Sequence, residues 1–361
     1  MKALTIGSAT IDIIAPVASR EIERVTMHNA TASFLMMEEG RKLEVAQISS
    51  YVGGGATNAA VSMARQGLEV ACLAKLGKDL DGDVIIARLQ EEAVDTSGII
   101  RTGEKATGKS IMLSAHDNNP SIFVCRGANT LLVNEDLDPK IFKGRDLVYI
   151  TAFSGQSAAC FPDAALKGRK AGAFVAANPG IRQLTYRGQE CLKAMRHIDL
   201  LVINAVEASQ LCAALPLQSM DRPHGVDEDC FVEGPALLED GLPVGKRRVA
   251  LGDFFTAIHQ AGPGLVIVTN GGEGAYISDR GAIRFVPALP VEVRGTVGAG
   301  DAYASTFAAQ IVMGADTDAA AERAARNAAA VVGEIDTQTG LLSIDDLMAG
   351  SSDGLDLVPL G

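Results

Sequence analysis

A chain of 361 residues with 47% apolar and 21% charged side chains has the length and composition to bury a large core, which excludes an intrinsically disordered protein. Acidic residues outnumber basic ones by 44 to 32, giving a formal net charge of -12, and with no Lys/Arg run beyond the trio Lys246-Arg247-Arg248, read as a solvated face, nothing argues for nucleic-acid or anionic-membrane binding. No apolar stretch reaches membrane-spanning length, and Met1 to Ile14 has no cleavable signal pattern. The cysteines at 72, 125, 160, 191, 212 and 230 form no CxxC pair, which predicts reduced thiols, no zinc site and a cytoplasmic location.

The first strand is expected at Lys2 to Ile6, closed by Gly7-Ser8. Asp12 follows in an apolar run; a buried carboxylate needs a partner, and either a local turn or a bound hydroxyl supplies one. From Ser33 to Ile48 the pattern alternates through Leu43, Val45 and Ile48 around a polar turn at Glu38-Glu39-Gly40-Arg41. Two further β-like runs lie at Lys109 to Ser114 and Ser121 to Cys125. No crossover helix separates partners among these pieces, so 33–50 and 109–125 are expected to form a small antiparallel lid beside the main sheet. An apolar face on such a lid needs a cover, either substrate or a second subunit, which predicts a homodimer through the lid.

Gly53-Gly54-Gly55 opens a helix through Val61, Met63 and Leu68. Glycines allow close backbone approach, and Asn58 offers both a donor and an acceptor, chemistry that suits hydroxyl groups; the same pattern also serves as a packing device. Strands at Leu147 to Ile150, Ala173 to Ala177 and Leu200 to Ile203 alternate with helices from about Gln156 and near Arg187 to Arg196. That rhythm predicts βαβ units and a parallel sheet covered on both faces, with ligands at the carboxyl ends of strands, where Asn178, Asn204 and Glu207 lie. Asn204-Ala205-Val206-Glu207 follows a strand and starts a helix, and by itself it reads as a capping box, with Asn204 as the cap and Glu207 completing it. With four prolines and no clear periodicity, 216–249 reads as a surface insertion.

Regularity resumes with a helix through Phe254, Ile258 and His259 and a strand from Leu265 to Thr269. The strand ends in Asn270-Gly271-Gly272-Glu273-Gly274, a nucleotide cradle or a bare hairpin turn. After a strand-like run at Ile283, Phe285 and Val286 comes Arg294-Gly295-Thr296-Val297-Gly298-Ala299-Gly300-Asp301-Ala302-Tyr303, which leads into a helix through Phe307 and Ile311. Free amides and the positive dipole end make Gly298, Ala299 and Gly300 a cradle for phosphate. Asp301 reads as a cap or, beside a phosphate it would repel, as the base that takes a proton from an attacking hydroxyl. Ala319 to Val332 is an Ala-rich helix containing Asn327, and 346–361 reads as a loose tail.

The glycine-rich loop ending in Asp301 resembles the second signature of the PfkB, or ribokinase-like, family of carbohydrate kinases, and Gly53-Gly54 with Asn58 resembles the first. Asn204 to Glu207 and Thr269 to Gly274 are similar to its Asn-x-x-Glu and Thr-x-Gly-x-x-Gly motifs, in the same order, and Arg126-Gly127-Ala128-Asn129 looks ribokinase-like. The resemblance implies a three-layer α/β sandwich with a central, mostly parallel sheet and a small β lid, built from 1–32, 51–108 and 126–345. It implies an ATP-dependent kinase acting on a primary hydroxyl of a small sugar or sugar-like alcohol. Asp301 would be the base, Gly298, Ala299 and Gly300 the anion hole, and Asp12, Gly53, Gly54 and Asn58 the acceptor site. Asn204, Thr269, Gly271, Gly274 and Asn327 would bind the nucleotide, and Glu207 its Mg²⁺. Gly295 stands where the family has Asp, which leaves a monovalent cation open, and Gly55 stands where its ribokinase branch has Lys. A nucleoside kinase and a non-catalytic sugar or nucleotide sensor are the alternative readings. A dehydrogenase is disfavoured by the lack of a strand followed by Gly-x-Gly-x-x-Gly and a spaced acidic residue.

Overall fold

Runs such as Leu147–Ile150 and Leu265–Thr269, apolar on both faces, form strands that are covered from both sides. They belong to a ten-stranded sheet in the order Val358–Leu360, Ala282–Pro287, Gly274–Asp279, Leu265–Thr269, Leu200–Asn204, Phe174–Ala177, Leu147–Ile150, Lys2–Ile6, Glu69–Gly77 and Ile99–Thr102. Pairing is parallel from Leu265–Thr269 to Ile99–Thr102, and the remaining three strands join antiparallel. This computed structural model describes residues 1–17, 23–26, 33–36, 39–40, 42, 44–45, 47–114, 121–215, 217, 236–349 and 358–360.

Helices cover the sheet in two layers. Gly55–Arg65, Leu80–Glu91, Ala299–Val312 and Thr317–Val332 bury Met63, Ile85, Phe307 and Ala321 in one core. Phe161–Lys170, Ile181–Ala194, Ala205–Cys212 and Leu251–Ala261 bury Phe161, Leu184, Leu211 and Phe254 in the other. The helix expected near Arg187 begins earlier, at Ile181 after Gly180, because Gln183 and Leu184 already bury their side chains there. The helix expected from Gln156 starts as a 3₁₀ turn, Gly155–Cys160, before Phe161.

The lid is a four-stranded sheet in the order Ser49–Gly53, Thr10–Pro16, Gly108–Ser114 and Ser121–Cys125. Two pairings are antiparallel, and Thr10–Pro16 runs parallel to Gly108–Ser114. Asp12 is therefore a lid residue, paired with Tyr51 on one side and Ser110 on the other. Val45 and Ile48, expected in a strand, are in none; Glu38, Arg41 and Leu43 lie outside the described residues. A separate hairpin pairs Glu23–Thr26 with Ser33–Met36.

Two segments are more regular than their sequence suggests. Of 216–249, Ala236–Asp240 is helical and Leu242–Val244 pairs with Arg247–Val249, because Leu237, Leu242 and Val249 reach the core. Within 346–361, Ile344–Ala349 ends as a helix with Leu347 buried, and Val358–Leu360 extends the main sheet along Ile283 to Phe285. The described cysteines, Cys72, Cys125, Cys160, Cys191 and Cys212, are free, and Cys230 lies outside the described residues. Among the described residues no helix is long and apolar enough to cross a membrane.

Candidate active site

Two glycine turns open two helices, and they differ in what their amides do. At the start of Gly55–Arg65, Gly55 N–H donates to Ser8 Oγ at 3.1 Å and Ala56 N–H to the Ser8 carbonyl at 3.0 Å, so this end is closed by the protein itself. Gly54 sits at φ 101, and a Cβ there would stand 2.6 Å from the Ser8 carbonyl. A Cβ on Gly53 would overlap Asp12 Oδ2. These glycines seat the helix on the Ser8-Ala9 turn and leave room for the Asp12 carboxylate. Gly53 and Gly54, expected at the acceptor, thus border the Asp12 carboxylate and the Ser8-Ala9 turn.

At the start of Ala299–Val312 the situation reverses. Gly298 is left-handed at φ 91, and the first intrahelical bond is Ala302 N–H to the Gly298 carbonyl at 2.9 Å. The amides of Gly298, Ala299 and Gly300 precede that bond and find no acceptor among the described residues. Ala299 and Gly300 border a cavity of about 570 Å³, whose wall also includes Thr269, Gly271, Gly274 and Tyr303. Gly274 is required at φ 132, where a Cβ would overlap the Val286 carbonyl. Register places Asn204 opposite Thr269, at the carboxyl edge of the sheet.

Asp301 lies one residue past the open amides. Asn58 Nδ2 donates to its Oδ2 at 2.9 Å, while Asn58 Oδ1 accepts from Thr337 Oγ1 at 2.9 Å and Gln338 Nε2 at 3.2 Å. The two acceptors' worth of donors fix the amide orientation, so Asn58 presents N–H rather than C=O to the carboxylate. Arg65 in turn donates to the backbone carbonyls of Gln338 and Leu341 at 2.9 and 2.7 Å, bracing that loop. Asn58, expected at the acceptor, is thus engaged with Asp301. Thr337, Gln338 and Arg65 have no local signal in the sequence, because only the tertiary fold brings them to Asn58.

Asp12 Oδ1 accepts from Ser110 Oγ at 2.6 Å and Thr10 Oγ1 at 3.0 Å, leaving Oδ2 toward Gly53. Burial raises the Asp12 pKa against both hydroxyls, and burial together with the Asp12 charge raises that of Asp301 against the Asn58 bond. Glu207 completes both halves of a capping box, Asn204 N–H to Glu207 Oε2 at 3.0 Å and Glu207 N–H to Asn204 Oδ1 at 2.9 Å. Burial, aided by the Asp301 charge, lifts its pKa from 4.5 to about 7. Burial raises all three carboxylates, and charge links Asp12 to Asp301 and Asp301 to Glu207, a pattern common where cations or protons are received.

Asn327 is elsewhere. It is fully buried, donating to Thr306 Oγ1 at 2.7 Å and accepting from Leu342 N–H at 2.8 Å, whereas its helix turns Ala325, Ala328, Ala329 and Val332 to the cavity. Helical periodicity puts it on a different face, between helices, where its side chain bonds Thr306 and Leu342.

A three-layer sandwich, a lid that carries a buried Asp, and open amides between a cavity and a second carboxylate define the ribokinase-like class of α/β enzymes. The chain matches the pfkB family of carbohydrate kinases over residues 2–222 and 250–344, and it belongs to that family. It is 28% identical over 342 residues to a deoxyribokinase of Salmonella typhi, covering 92% of this chain and 96% of the relative. A nucleoside kinase of Methanothermobacter thermautotrophicus is 23% identical over 290 residues, covering 80% and 81%. In fold the chain is similar to Arabidopsis thaliana ribokinase complexed with ribose and ATP, with a TM-score of 0.67 and 19% identity over 97% of this chain and 99% of that one.

Proposed function

We propose that the protein transfers the terminal phosphoryl group of ATP to a primary hydroxyl of a small sugar or sugar-like alcohol. The observation that carries this reading is the row of unpaired amides at Gly298, Ala299 and Gly300, set between the cavity and the Asn58-held carboxylate of Asp301. The nucleotide would occupy the cavity beside Thr269, Gly271 and Gly274, with its terminal phosphate at the amides. Asp12 Oδ2 would accept a hydroxyl of the acceptor, and Asp301 would take the proton of the attacking one. Each amide aimed at the transferring group is worth roughly 2.7–4 kcal/mol of barrier.

Among the described residues no cluster of three or more His, Cys, Asp or Glu could hold a metal alone. Glu207 is therefore assigned one contribution to Mg²⁺, with the phosphates and water supplying the rest, and the ion would neutralise phosphate charge. A panel of sugars and nucleosides, scored for ADP formed from ATP, tests the reading. No ADP with any acceptor in the panel, despite saturable ATP binding, would favour a sensor and sink it.

Glu207 also gives a pH test that needs no substrate. Its folded pKa lies above the unfolded one, so its contribution to ligand-free stability is full below 4.5 and lost as pH rises through about 7. Glu207→Gln keeps an acceptor for the Asn204 N–H but cannot ionise. The variant is expected to melt with wild type near pH 4 and above it near pH 8. A wild-type-minus-variant difference that stays constant over that range would contradict the raised pKa of Glu207.

The lid leaves Ile111 and Phe123 exposed by 44% and 58% on one face and Ile122 and Val124 by 44% and 50% on the other, apolar surface that water does not favour. A homodimer through the lid is the proposed cover. Sedimentation at micromolar concentration should report a dimer for the wild type and a monomer for Phe123→Glu; a wild-type monomer would remove the proposal.

A further inference from the structure

Asp301 is held from behind by a chain of contacts that ends at an ion pair outside the site. Asn58 is the one side-chain donor to the Asp301 carboxylate among the described residues, so the direction of that amide decides what the carboxylate meets. An Asn amide has nearly the same shape either way round, and only its partners choose between N–H and C=O. The partners of Asn58 Oδ1 are Thr337 Oγ1 and Gln338 Nε2, both on the stretch 333–341.

That stretch lies between Thr317–Val332 and Ile344–Ala349 and has no helix or strand of its own. Asp336, Thr337 and Gln338 are nevertheless buried. A buried loop needs partners for its backbone, and side chains supply them here. Asp336 Oδ1 accepts from the N–H groups of Gln338 and Thr339 at 2.8 and 2.9 Å, while Arg65 Nη1 donates to the Gln338 and Leu341 carbonyls. Arg65 stands seven residues after Asn58 on the same helix, about 10 Å further along and on the same face. One helix face therefore presents both the amide to be oriented and the cation that anchors the loop orienting it.

The other edge of the Arg65 guanidinium is fixed as well. Its Nε and Nη2 donate to Glu92 Oε2 and Oε1 at 3.0 and 2.6 Å, a two-bond fork. Arg88 Nη2 donates to the same Oε1 at 2.5 Å, and Arg88 Nε to Gln338 Oε1 at 3.4 Å, which leaves Gln338 Nε2 for Asn58. The Arg65 hydrogen bonds hold the Glu92 carboxyl below its usual range against the opposing effect of burial, so the fork stays charged at neutral pH. The Arg65 and Glu92 side chains are 23% and 14% exposed, so water and salt screen the pair less than they would at the surface. None of Arg65, Arg88, Glu92 and Gln338 borders the nucleotide cavity.

We propose that Arg65, locked by Glu92, is a positioning residue for phosphotransfer: it holds the 333–341 stretch so that Thr337 and Gln338 turn the Asn58 N–H to Asp301. The proposal rests on the phosphotransfer reading for its effect on rate, but not for its effect on the Asn58 amide. Without the anchor both donors drift from Asn58 Oδ1, and the amide is free to face Asp301 with its carbonyl, acceptor against acceptor.

Two readouts on the full chain test it. The first needs no substrate: hydrogen exchange of the Asn58 side-chain NH₂, followed by NMR and assigned by its loss in Asn58→Ala. Arg65→Met is expected to speed that exchange at least about tenfold, while the NH₂ of Asn129, buried and donating to the Ala9 carbonyl at 2.8 Å, exchanges as in wild type. The second is kcat with the acceptor that wild type turns over fastest. Arg65→Met should lower it by about tenfold to a hundredfold with ATP affinity unchanged, but by less than about twofold in the Asn58→Ala background. Glu92→Gln keeps the shape of the fork and loses its charge, so it is expected to move both readouts in the same direction but less far, and it carries the test if Arg65→Met does not fold. Unchanged Asn58 exchange would overturn the proposal, as would equal acceleration at Asn129 or a loss of kcat that is the same with and without the Asn58 amide. Should wild type form no ADP with any acceptor, phosphotransfer falls and the exchange at Asn58 alone judges the role of Arg65.

Discussion

Replacing Asp301 with Asn is expected to lower kcat by about 10²- to 10⁴-fold while leaving the affinity for ATP nearly unchanged. The substitution keeps shape and keeps an oxygen for the Asn58 N–H at its present 2.9 Å, so what is lost is the ability to take a proton. Nucleotide affinity is insulated because the cavity is walled by Thr269, Gly271, Gly274, Ala299, Gly300 and Tyr303, and Asp301 is not among its lining residues. Stability should not fall. The carboxylate pays desolvation and feels the Asp12 charge, and its own charge raises the pKa of Glu207, so a neutral side chain relieves all three. The measurement is kcat and ATP dissociation constant on one preparation, with a melting curve as control for folding. Turnover close to wild type would remove Asp301 from the base role and leave the open amides as mere electrostatic support.

The strands of the central sheet were legible because burial on both faces demands continuous apolar runs, which Leu147 to Ile150 and Leu265 to Thr269 display without ambiguity. The loop before Asp301 was legible for a different reason: glycines at 298 and 300 before a periodic helix announce an open helix start. Glycine spacing alone did not separate this loop from Gly53-Gly54-Gly55, since the two differ in whether Ser8 occupies the amides, a contact across 47 residues. The lid was harder. Its strand Thr10–Pro16 is apolar enough to pass for part of the main sheet, and only its pairing with Ser49–Gly53 and Gly108–Ser114 assigns it. Asn327, a polar residue on an Ala-rich helix, gives no local sign that its side chain bonds Thr306 and Leu342. The residues that orient Asn58 toward Asp301, Thr337 and Gln338, lie 279 and 280 positions from Asn58, beyond any local pattern.

Gly298→Ala is expected to lower kcat by about 10²- to 10³-fold, the scale of losing an anion-hole donor. Two effects combine at this position. The backbone is left-handed at φ 91, where a non-glycine residue costs about 1–3 kcal/mol, so the helix start would rotate its amides away from the phosphate. The added Cβ would also stand 2.8 Å from both Cβ and Cγ2 of Thr337. Thr337 cannot retreat freely, because its hydroxyl holds Asn58 at 2.9 Å and Asn58 holds Asp301 at the same distance. A methyl at 298 therefore reaches the base through two hydrogen bonds as well as the phosphate through the amides. Thr337→Ser removes Cγ2 but keeps the hydroxyl, so the double variant Gly298→Ala/Thr337→Ser should recover part of the lost kcat, with non-additivity of at least about 0.5 kcal/mol in a double-mutant cycle. Strict additivity would mean that the backbone rotation alone accounts for the loss and that Thr337 does not transmit it to Asp301.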